Sequence, residues 1–310
     1  MVRFAANALY AMCRLLAALP WALLRQLARV IAWLWLRLDA REARMTRRNL
    51  ELARELPLTA AGRQQLLRDV LRTTAAQTLE TLRFWTRPAA RNLASIDVVH
   101  GAPLLREAIA HGRGVIIAAP HFGNWELLNQ WLAAQTPLAV LYRAPQSRIG
   151  EAFLRKVRAN AGGNVTQIRA EAIGIRHLLR RLREGGVVGI LPDQRPKSGD
   201  GAFALFFGMP AYSMTLLSRL AARSGAQVLF AWCERLPGPA NAAPRFEVHL
   251  QAAPAAVADA DPQVAVQALN ATLEAIVLRD PAQYQWTYKR YTLQPPGSAV
   301  DNPYRDLERH

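Results

Sequence analysis

A histidine and a carboxylate lie close together after a run that predicts a buried strand. The segment Gly114–Glu126 begins with uncharged, largely β-branched residues, reaches a proline, and continues at once with His121. Gly123 and Asn124 then predict a turn and a helix N-cap, which places Glu126 in the first helical turn. Because imidazole titrates near neutrality and a carboxylate can fix its tautomer, the pair predicts general-base chemistry at the mouth of a sheet.

Two alternatives to this pairing stay open. Five helical residues would place two side chains roughly 140° apart, so the spacing favours strand, turn and helix over one helix. In the first alternative, His121 is a buried structural histidine and Glu126 only caps a helix. In the second, Asp193 is the partner of His121, since it follows the predicted strand Val187–Leu191 at the edge where an α/β sheet places its site. Asp193 could also be a simple turn residue.

Composition limits the class of protein and its partners. The chain has 310 residues, of which 51% are hydrophobic, enough for one large α/β domain or two small ones. Its two cysteines, Cys13 and Cys233, predict neither a disulfide framework nor a structural zinc. The net charge of +16 predicts an anionic partner, either a membrane surface, a phosphorylated substrate or an acidic carrier protein. With no recognisable nucleic-acid-binding motif, no nucleic acid is expected.

Motifs of other reaction classes are missing from the sequence. No serine is flanked as in a nucleophile elbow, and neither a phosphate-binding Gly-Lys-Ser/Thr loop nor a full dinucleotide-binding glycine motif is present. The histidines include no closely spaced pair of metal ligands, so we expect neither a metal nor a cofactor. What remains is base-catalysed attack of a hydroxyl on an activated carbonyl, without a covalent enzyme intermediate.

Residues 1–38 differ from the rest of the chain. Apolar blocks alternate with single arginines, and none reaches the roughly 18 to 20 residues that a spanning helix needs. Arg3, Arg14 and Arg25 recur every eleven residues, which predicts a basic stripe on a helix that lies in a membrane interface. Pro20 should kink or split this helix. Two other interpretations stay open, an amphipathic helix buried in the domain and a tilted membrane anchor.

Residues 39–310 predict a single domain in which helices and strands alternate. This order is typical of an α/β fold with a mostly parallel central sheet covered by helices on both faces. Strands are predicted at Ser95–Val99, 115–119, Leu138–Tyr142, Val187–Leu191, Gln227–Trp232 and Arg245–Gln251. Helices are predicted at Leu58–Trp85, Pro103–His111, from Trp125, and at Ile149–Asn160, Ala172–Arg183, Ser213–Arg223 and Pro262–Leu278.

Six ordered motifs connect the chain to a known family. They lie at residues 47–52 (Arg-Arg-Asn-Leu-Glu-Leu), 112–126, 140–145, 189–194, 206–211 and 283–290. On these motifs the chain resembles, nearly end to end, the lauroyl/myristoyl acyltransferases of lipid A biosynthesis in Gram-negative bacteria, within the lysophospholipid acyltransferase superfamily. The resemblance implies a glycerol-phosphate-acyltransferase-like fold behind an N-terminal membrane-associated helical segment.

The resemblance also implies an activity. The family transfers a fatty acyl chain from acyl carrier protein to a hydroxyl of a phosphorylated, Kdo-bearing lipid A precursor, at the cytoplasmic face of the inner membrane. Its catalytic His-x-x-x-x-Asp/Glu motif would here be His121 and Glu126. The donor, acyl carrier protein or acyl-CoA, would be a substrate and not a cofactor. An anionic membrane, an acidic carrier and a phosphorylated acceptor would each suit a net charge of +16.

Further residues are candidates for substrate binding. Backbone N–H groups at the Asn124 helix start, or Arg143 after its strand, would stabilise an oxyanion or hold a phosphate. Lys197 lies in a Gly- and Pro-containing loop that is either a lid or simply solvated. Phe206 and Phe207 would line an acyl groove or else pack in the core.

Two other functions stay open at this point. The same chemistry could serve a lysophospholipid or another glycolipid, because the shared motifs report the reaction and not the acceptor. A catalytically silent lipid-binding protein is disfavoured by the intact His121 and Glu126.

Overall fold

A seven-stranded sheet forms the centre of the protein. The computed structural model describes residues 1–142, 147–159, 164–239, 241–299 and 302–308, and its sheet has the order β1-β9-β8-β2-β5-β3-β4. The strands are β1 (Ile96–His100), β2 (Val115–Ala118), β3 (Leu138–Tyr142), β4 (Val165–Arg169), β5 (Val187–Ile190), β8 (Gln227–Arg235) and β9 (Phe246–Ala252). All neighbours pair in parallel except β8 and β9, so the predicted mostly parallel sheet is confirmed.

Helices cover both faces of this sheet. They are α1 (Val2–Ala17), α2 (Trp21–Arg37), α3 (Arg41–Leu52), α4 (Ala60–Thr86), α5 (Ala89–Leu93), α6 (Ala102–Ala110), α7 (Trp125–Gln135), α8 (Arg148–Ala159), α9 (Ala172–Arg183), α10 (Leu216–Ser224) and α11 (Pro262–Val277). Apolar side chains of α6 and α7 pack on one face, and those of α2, α4, α9, α10 and α11 pack on the other. The strands β2 and β5 are buried along their whole length between the two layers, which explains why their sequences are continuous apolar runs.

Two predicted boundaries differ from the structure because of one hairpin. Strands β6 (Gly201–Phe206) and β7 (Met209–Met214) pair antiparallel from Gly201 opposite Met214 to Phe206 opposite Met209. The sequence predicted no strand here and a helix that begins at Ser213. The turn is Phe207-Gly208, with φ of 49° and 76°, the left-handed conformations of a two-residue hairpin turn. Helix α10 therefore begins only at Leu216.

The N-terminal residues 1–38 form two helices and not one. The axes of α1 and α2 differ by 109°. Pro20 lies at the break and is the N-cap of α2, so the predicted split at this proline is confirmed. The face buried against α4 and α8 is made mostly of small residues, Ala6, Cys13, Ala17, Leu24, Ala28 and Ala32. Among the described residues no single helix is long and apolar enough to cross a membrane, although α1 and α2 pass this test as a bent pair.

Candidate active site

The predicted histidine and the alternative carboxylate emerge side by side at one edge of the sheet. Strands β2 and β5 are neighbours in parallel register, with Ala118 opposite Ile190. His121 follows the end of β2 and Asp193 follows the end of β5, so both lie at the carboxyl edge. This is the edge where open α/β sheets hold their ligands.

Asp193 holds the His121 ring through both carboxylate oxygens. Asp193 Oδ1 accepts a hydrogen bond from His121 Nδ1 at 2.8 Å, and Oδ2 accepts one from the His121 backbone N–H at 2.8 Å. Burial by itself raises the pKa of the Asp193 carboxyl, but the charge of His121 and these hydrogen bonds outweigh it, so the pKa lies below its ordinary value. The carboxylate therefore stays ionised and fixes the proton of neutral His121 on Nδ1.

The other ring nitrogen, His121 Nε2, is left as an acceptor on the cleft side. Gln194 Nε2 lies 3.2 Å from it and also donates to Gln285 Oε1 at 3.2 Å. The Trp125 ring packs edge-on to the imidazole, with 5.1 Å between centroids. A substrate hydroxyl that takes the place of the Gln194 amide would present its proton to Nε2, as general-base catalysis requires. The sequence did not single out Gln194, because only the ring geometry reveals it.

Glu126 does not make the contact that its spacing from His121 predicts. It lies in the first turn of α7, as expected, and it lines the cleft beside His121. The Nδ1 hydrogen bond, however, goes to Asp193. The reason is topological: β5 lies next to β2 and delivers its carboxylate directly to the ring, whereas Glu126 reaches the cleft from the start of a helix.

His121 and Glu126 face a cleft with a volume of about 530 Å³. The basic side chains that line it are Arg169, Arg195, Lys197 and Arg219, and the acidic ones besides Glu126 are Glu171 and Asp200. Lys197 lines the cleft but is exposed, so the solvated-loop alternative stays open beside a role in the cleft. Arg143 lies outside the described residues, so its predicted contact with an oxyanion or phosphate stays a prediction.

A second, apolar pocket adjoins the cleft. Phe84, Trp85, Val140, Val157 and Val165 line its apolar part, and Arg87, Gln130 and Gln167 lie at its wall. The pocket shares Glu126, Asn129 and Val140 with the cleft wall. The shared residues make the two spaces neighbours at the entrance to the site. The pocket's volume of about 40 Å³ is far smaller than that of the cleft, so it is suited only to the last few carbons of an alkyl chain.

Phe206 and Phe207, the residues predicted to line an acyl groove, lie elsewhere. Both are buried, 1% and 2% exposed, and Phe207 packs against Trp286. They anchor the β6–β7 turn to the C-terminal segment, because their rings fill the space between the hairpin and the aromatic residues 284–291. The core alternative is therefore the observed one.

Asn124 is the N-cap of α7, as the sequence predicted, and its role in substrate binding stays a prediction. Its Oδ1 accepts from the Leu127 backbone N–H at 3.0 Å, which is the N-cap of α7, and the residue is only 2% exposed. The backbone N–H groups of Gly123 and Asn124 donate to the carbonyl oxygens of Gln283 and Cys233, so the predicted oxyanion contact falls to N–H groups of the first turn of α7 and stays a prediction. At Gly123, φ is 58° and a Cβ would lie 1.9 Å from the Cys233 carbonyl oxygen, so only glycine fits this turn.

Comparison with known proteins agrees with this geometry. The sequence profile of the bacterial lipid A biosynthesis acyltransferases matches residues 2–292 of the chain. The chain belongs to this family. The acyltransferase is 26% identical to the lipid A biosynthesis palmitoleoyltransferase of Escherichia coli K12, over 84% of its own length and 81% of that protein. It is 22% identical to the lipid A biosynthesis lauroyltransferase of the same organism, over 91% and 90% of the two chains.

A relative from outside lipid A synthesis covers a shorter stretch. The phosphatidylinositol mannoside acyltransferase of Mycobacterium tuberculosis (CDC 1551 / Oshkosh) is 30% identical over 139 residues, 44% of the chain and 43% of that protein. All three relatives carry names of acyl-transferring enzymes. Family membership makes the protein an enzyme that transfers acyl groups, and it supports secondary acylation in lipid A synthesis.

In this acyltransferase, the motif at residues 47–52 contacts the C-terminal segment that is hydrogen-bonded to His121. Asn49, 1% exposed, donates to the carbonyl oxygens of Trp286 at 2.6 Å and Tyr288 at 2.8 Å. Gln285, which directly precedes Trp286, donates its backbone N–H to the His121 carbonyl oxygen at 3.1 Å. The motifs at residues 47–52 and 283–290 are therefore joined by hydrogen bonds, and the second of them is hydrogen-bonded to His121. The sequence identifies both motifs but does not predict that they contact each other.

Replacing Asn49 by alanine is expected to lower the free energy of unfolding by about 2 kcal/mol or more, since two buried carbonyls lose their donor. Urea-induced unfolding followed by circular dichroism would measure this change. The control is Glu51→Ala on the same helix, where only an exposed ion pair with Arg48 is lost and less than about 0.5 kcal/mol should change. Equal losses in the two variants would contradict the supporting role of Asn49.

Proposed function

We propose that this acyltransferase transfers a fatty acyl chain from acyl carrier protein to a hydroxyl of a Kdo-bearing, phosphorylated lipid A precursor. The observation that carries the proposal is the His121–Asp193 pair at a cleft with basic walls and an adjoining apolar pocket. His121 is the base for the acceptor hydroxyl, the basic side chains of the cleft suit a phosphate, and the apolar pocket suits the end of the acyl chain. The chemistry needs no metal and no cofactor.

The reaction proceeds through a single acyl transfer. His121 Nε2 takes the proton from the acceptor hydroxyl while the hydroxyl oxygen attacks the thioester carbonyl carbon of the donor. Asp193 stabilises the imidazolium that forms, because its buried carboxylate accepts from Nδ1. The tetrahedral intermediate then collapses, the carbon–sulfur bond breaks, and the His121 proton passes to the sulfur of the carrier thiol.

The basic cleft wall is suited to the phosphates of the acceptor. Arg195, Lys197 and Arg219 line the cleft that holds His121. Arginine and lysine bind phosphate oxygens by charge-assisted hydrogen bonds, which fixes the acceptor with its hydroxyl near the base. The net charge of +16 also favours an acidic carrier protein, through attraction that salt screens beyond about 10 Å.

The apolar pocket is proposed to hold the methyl end of the acyl chain, while the rest of the chain lies in the larger cleft, and so to set the chain length. Replacing the buried Val157 by phenylalanine fills part of the pocket, so the longest accepted chains should lose kcat/KM relative to shorter ones. Each methylene that no longer fits costs about 0.8 kcal/mol, or about fourfold in kcat/KM. Competition between donors of different chain length would measure the ratio.

A matched variant controls for the substitution itself. Val264 lies on α11 and is 43% exposed, so Val264→Phe should leave the chain-length ratio unchanged. The role of the pocket would be contradicted if Val157→Phe and Val264→Phe gave the same ratio as the native protein.

Helices α1 and α2 are proposed to bind the cytoplasmic surface of the inner membrane. Several large apolar side chains of these helices are exposed, namely Phe4, Met12, Leu15, Leu23, Val30, Trp33 and Leu38. Arg3, Arg14 and Arg29 are exposed on the same helices, whereas Arg25 is half-buried and departs from the predicted stripe. Exposed apolar side chains beside arginines are suited to an anionic membrane surface.

Replacing both Leu15 and Trp33 by glutamine is expected to lower binding to anionic vesicles about tenfold or more, because burial of each side chain contributes about 1.5–3 kcal/mol. Flotation on phosphatidylglycerol-containing liposomes measures the bound fraction. The matched control replaces Leu205 and Leu278, two leucines exposed elsewhere, and should float as the native protein does. Equal flotation of both double variants would refute the proposed contact.

Mass spectrometry of lipid A from a strain that lacks this protein tests the function. We expect lipid A that lacks one secondary acyl chain, and restoration by the native gene but not by His121→Ala. Unchanged lipid A would contradict the proposed acceptor. A second acceptor class, a lysophospholipid or another glycolipid, is favoured by the likeness to a phosphatidylinositol mannoside acyltransferase, and it predicts a changed glycolipid or phospholipid fraction in the same strain.

A further inference from the structure

A cluster of histidine and glutamate side chains lies on the edge strand β1 and its neighbour β9, apart from the acyl-transfer cleft. His100 ends β1, while Glu247 and His249 lie on β9, the strand that pairs with it. His100 is opposite His249 in the register, and Glu247 is two residues before His249 on the same face of the strand. None of the three lines the cleft or the apolar pocket.

The rings in this cluster form a stack. Trp232 of β8 lies on His249, with 5.0 Å between ring centroids and 7° between planes. His249 lies on His100, with 4.5 Å and 15°. In this stack the Nε2 atoms of both imidazoles lie near one carboxylate. His100 Nε2 is 3.0 Å from Glu247 Oε2, and His249 Nε2 is 3.5 Å from the same oxygen.

One of these nitrogen atoms is buried without a hydrogen bond. His249 is 9% exposed, and its Nε2 has no hydrogen-bond partner among the described residues. A second carboxylate oxygen, Glu234 Oε2, lies 3.6 Å away, too far for a good hydrogen bond. A buried polar nitrogen without a partner is costly, and such a group in a native protein calls for a ligand or a water.

We propose that His100, Glu247 and His249 bind a divalent transition metal ion of the zinc class. Their ligand atoms all lie within 4.8 Å of one another. Two imidazoles and one carboxylate are a common zinc ligand set, with metal–ligand distances of about 2.0–2.2 Å. Ligands at this distance from one ion lie about 3.3 Å apart in a tetrahedron. Because a metal lies near the plane of an imidazole that binds it, the His100 ring must turn out of the stack to bind the same ion as His249, and its side chain, 49% exposed, has room to do so.

The remaining position on the ion would be open to water or to Glu234. Glu234 Oε2 is held by Arg279 Nε at 2.7 Å, so it is an alternative ligand whose use would break this ion pair. The three ligands join the edge strand β1 to β9, and β1 pairs with no other strand of the described sheet. A bound ion would therefore fasten the edge of the sheet, and acyl transfer at His121 does not depend on it.

Zinc titration of the full-length protein, without a histidine tag and freed of metal by a chelator, tests the site. Competition with a chromophoric zinc indicator should show one ion bound per chain. His100→Ala and Glu247→Gln, both at partly exposed positions, should each weaken binding by about 100-fold or more, since loss of a direct ligand exceeds the 10–100-fold typical of supporting residues. Zinc should also raise the Tm of the native protein but not of these variants.

His177→Ala is the matched control, because His177 is an exposed histidine on α9 outside the cluster. This variant should bind zinc as tightly as the native protein does. The proposal would be overturned if the folded native protein and His100→Ala bound zinc with equal affinity. It would also be overturned if His100→Ala and His177→Ala weakened binding equally. Neither result depends on acyl transfer, so the metal site can fail while the proposed function stands.

Discussion

His121→Ala is expected to lower kcat/KM for acyl transfer by at least about 100-fold while the protein stays folded. General-base catalysis by a positioned side chain contributes typically about 10²–10⁴ in rate. The His121 side chain is largely buried at the cleft and makes its hydrogen bonds to Asp193 and Gln194. Its removal takes away the base without opening the core, because the strands behind it are buried independently.

Steady-state kinetics with purified protein, with circular dichroism on the same sample, would measure this loss. His111→Ala is the matched control, since His111 is an exposed histidine at the end of α6. It should retain native activity. Activity of folded His121→Ala within tenfold of the native value would exclude His121 as the base.

Asp193→Asn is expected to cost more activity than Glu126→Gln, and by a large factor. An amide at position 193 can donate to His121 Nδ1, which would move the ring proton to Nε2 and remove the acceptor that faces the cleft. The corresponding change in the serine protease triad lowers kcat by about 10⁴. Loss of the charge also removes the stabilisation of the imidazolium. Glu126 lines the cleft but does not hold Nδ1, so Glu126→Gln should cost less.

The ranking of these two variants is informative because sequence spacing favours the opposite order. The kcat/KM of each variant, divided by that of the native protein, decides which carboxylate orients His121. If Glu126→Gln were the slower enzyme, the orienting role assigned here to Asp193 would belong to Glu126.

Much of the central sheet could be predicted because its strands are short apolar runs bounded by turn residues. Strand Leu138–Tyr142 and helix Ala172–Arg183 have the predicted bounds. Strand β4 was missed, since an edge strand with half-exposed polar residues carries neither an apolar run nor clear alternation. The β6–β7 hairpin was missed because its turn places Phe207, a bulky residue, at a positive φ that sequence signals assign to glycine or asparagine.

The sequence predicted which single residues belong to the active site, but it did not predict which of them contact each other. His121 was predicted from one continuous segment, with Asp193 only as an alternative, because the two are 72 residues apart and meet only if β5 lies next to β2. Strand order of this kind cannot be read from spacing. The His100–Glu247 contact, between residues 147 positions apart, was out of reach for the same reason.

Transfer by the purified protein from acylated carrier protein is the most direct measurement of the central claim. The acceptors are a Kdo-bearing lipid A precursor, the same precursor without Kdo, and a lysophospholipid, with products identified by mass spectrometry. We expect the Kdo-bearing precursor to gain the mass of one acyl chain with native protein and to gain almost none with His121→Ala. A mass gain on the lysophospholipid alone, or an equal gain with His121→Ala, would contradict it.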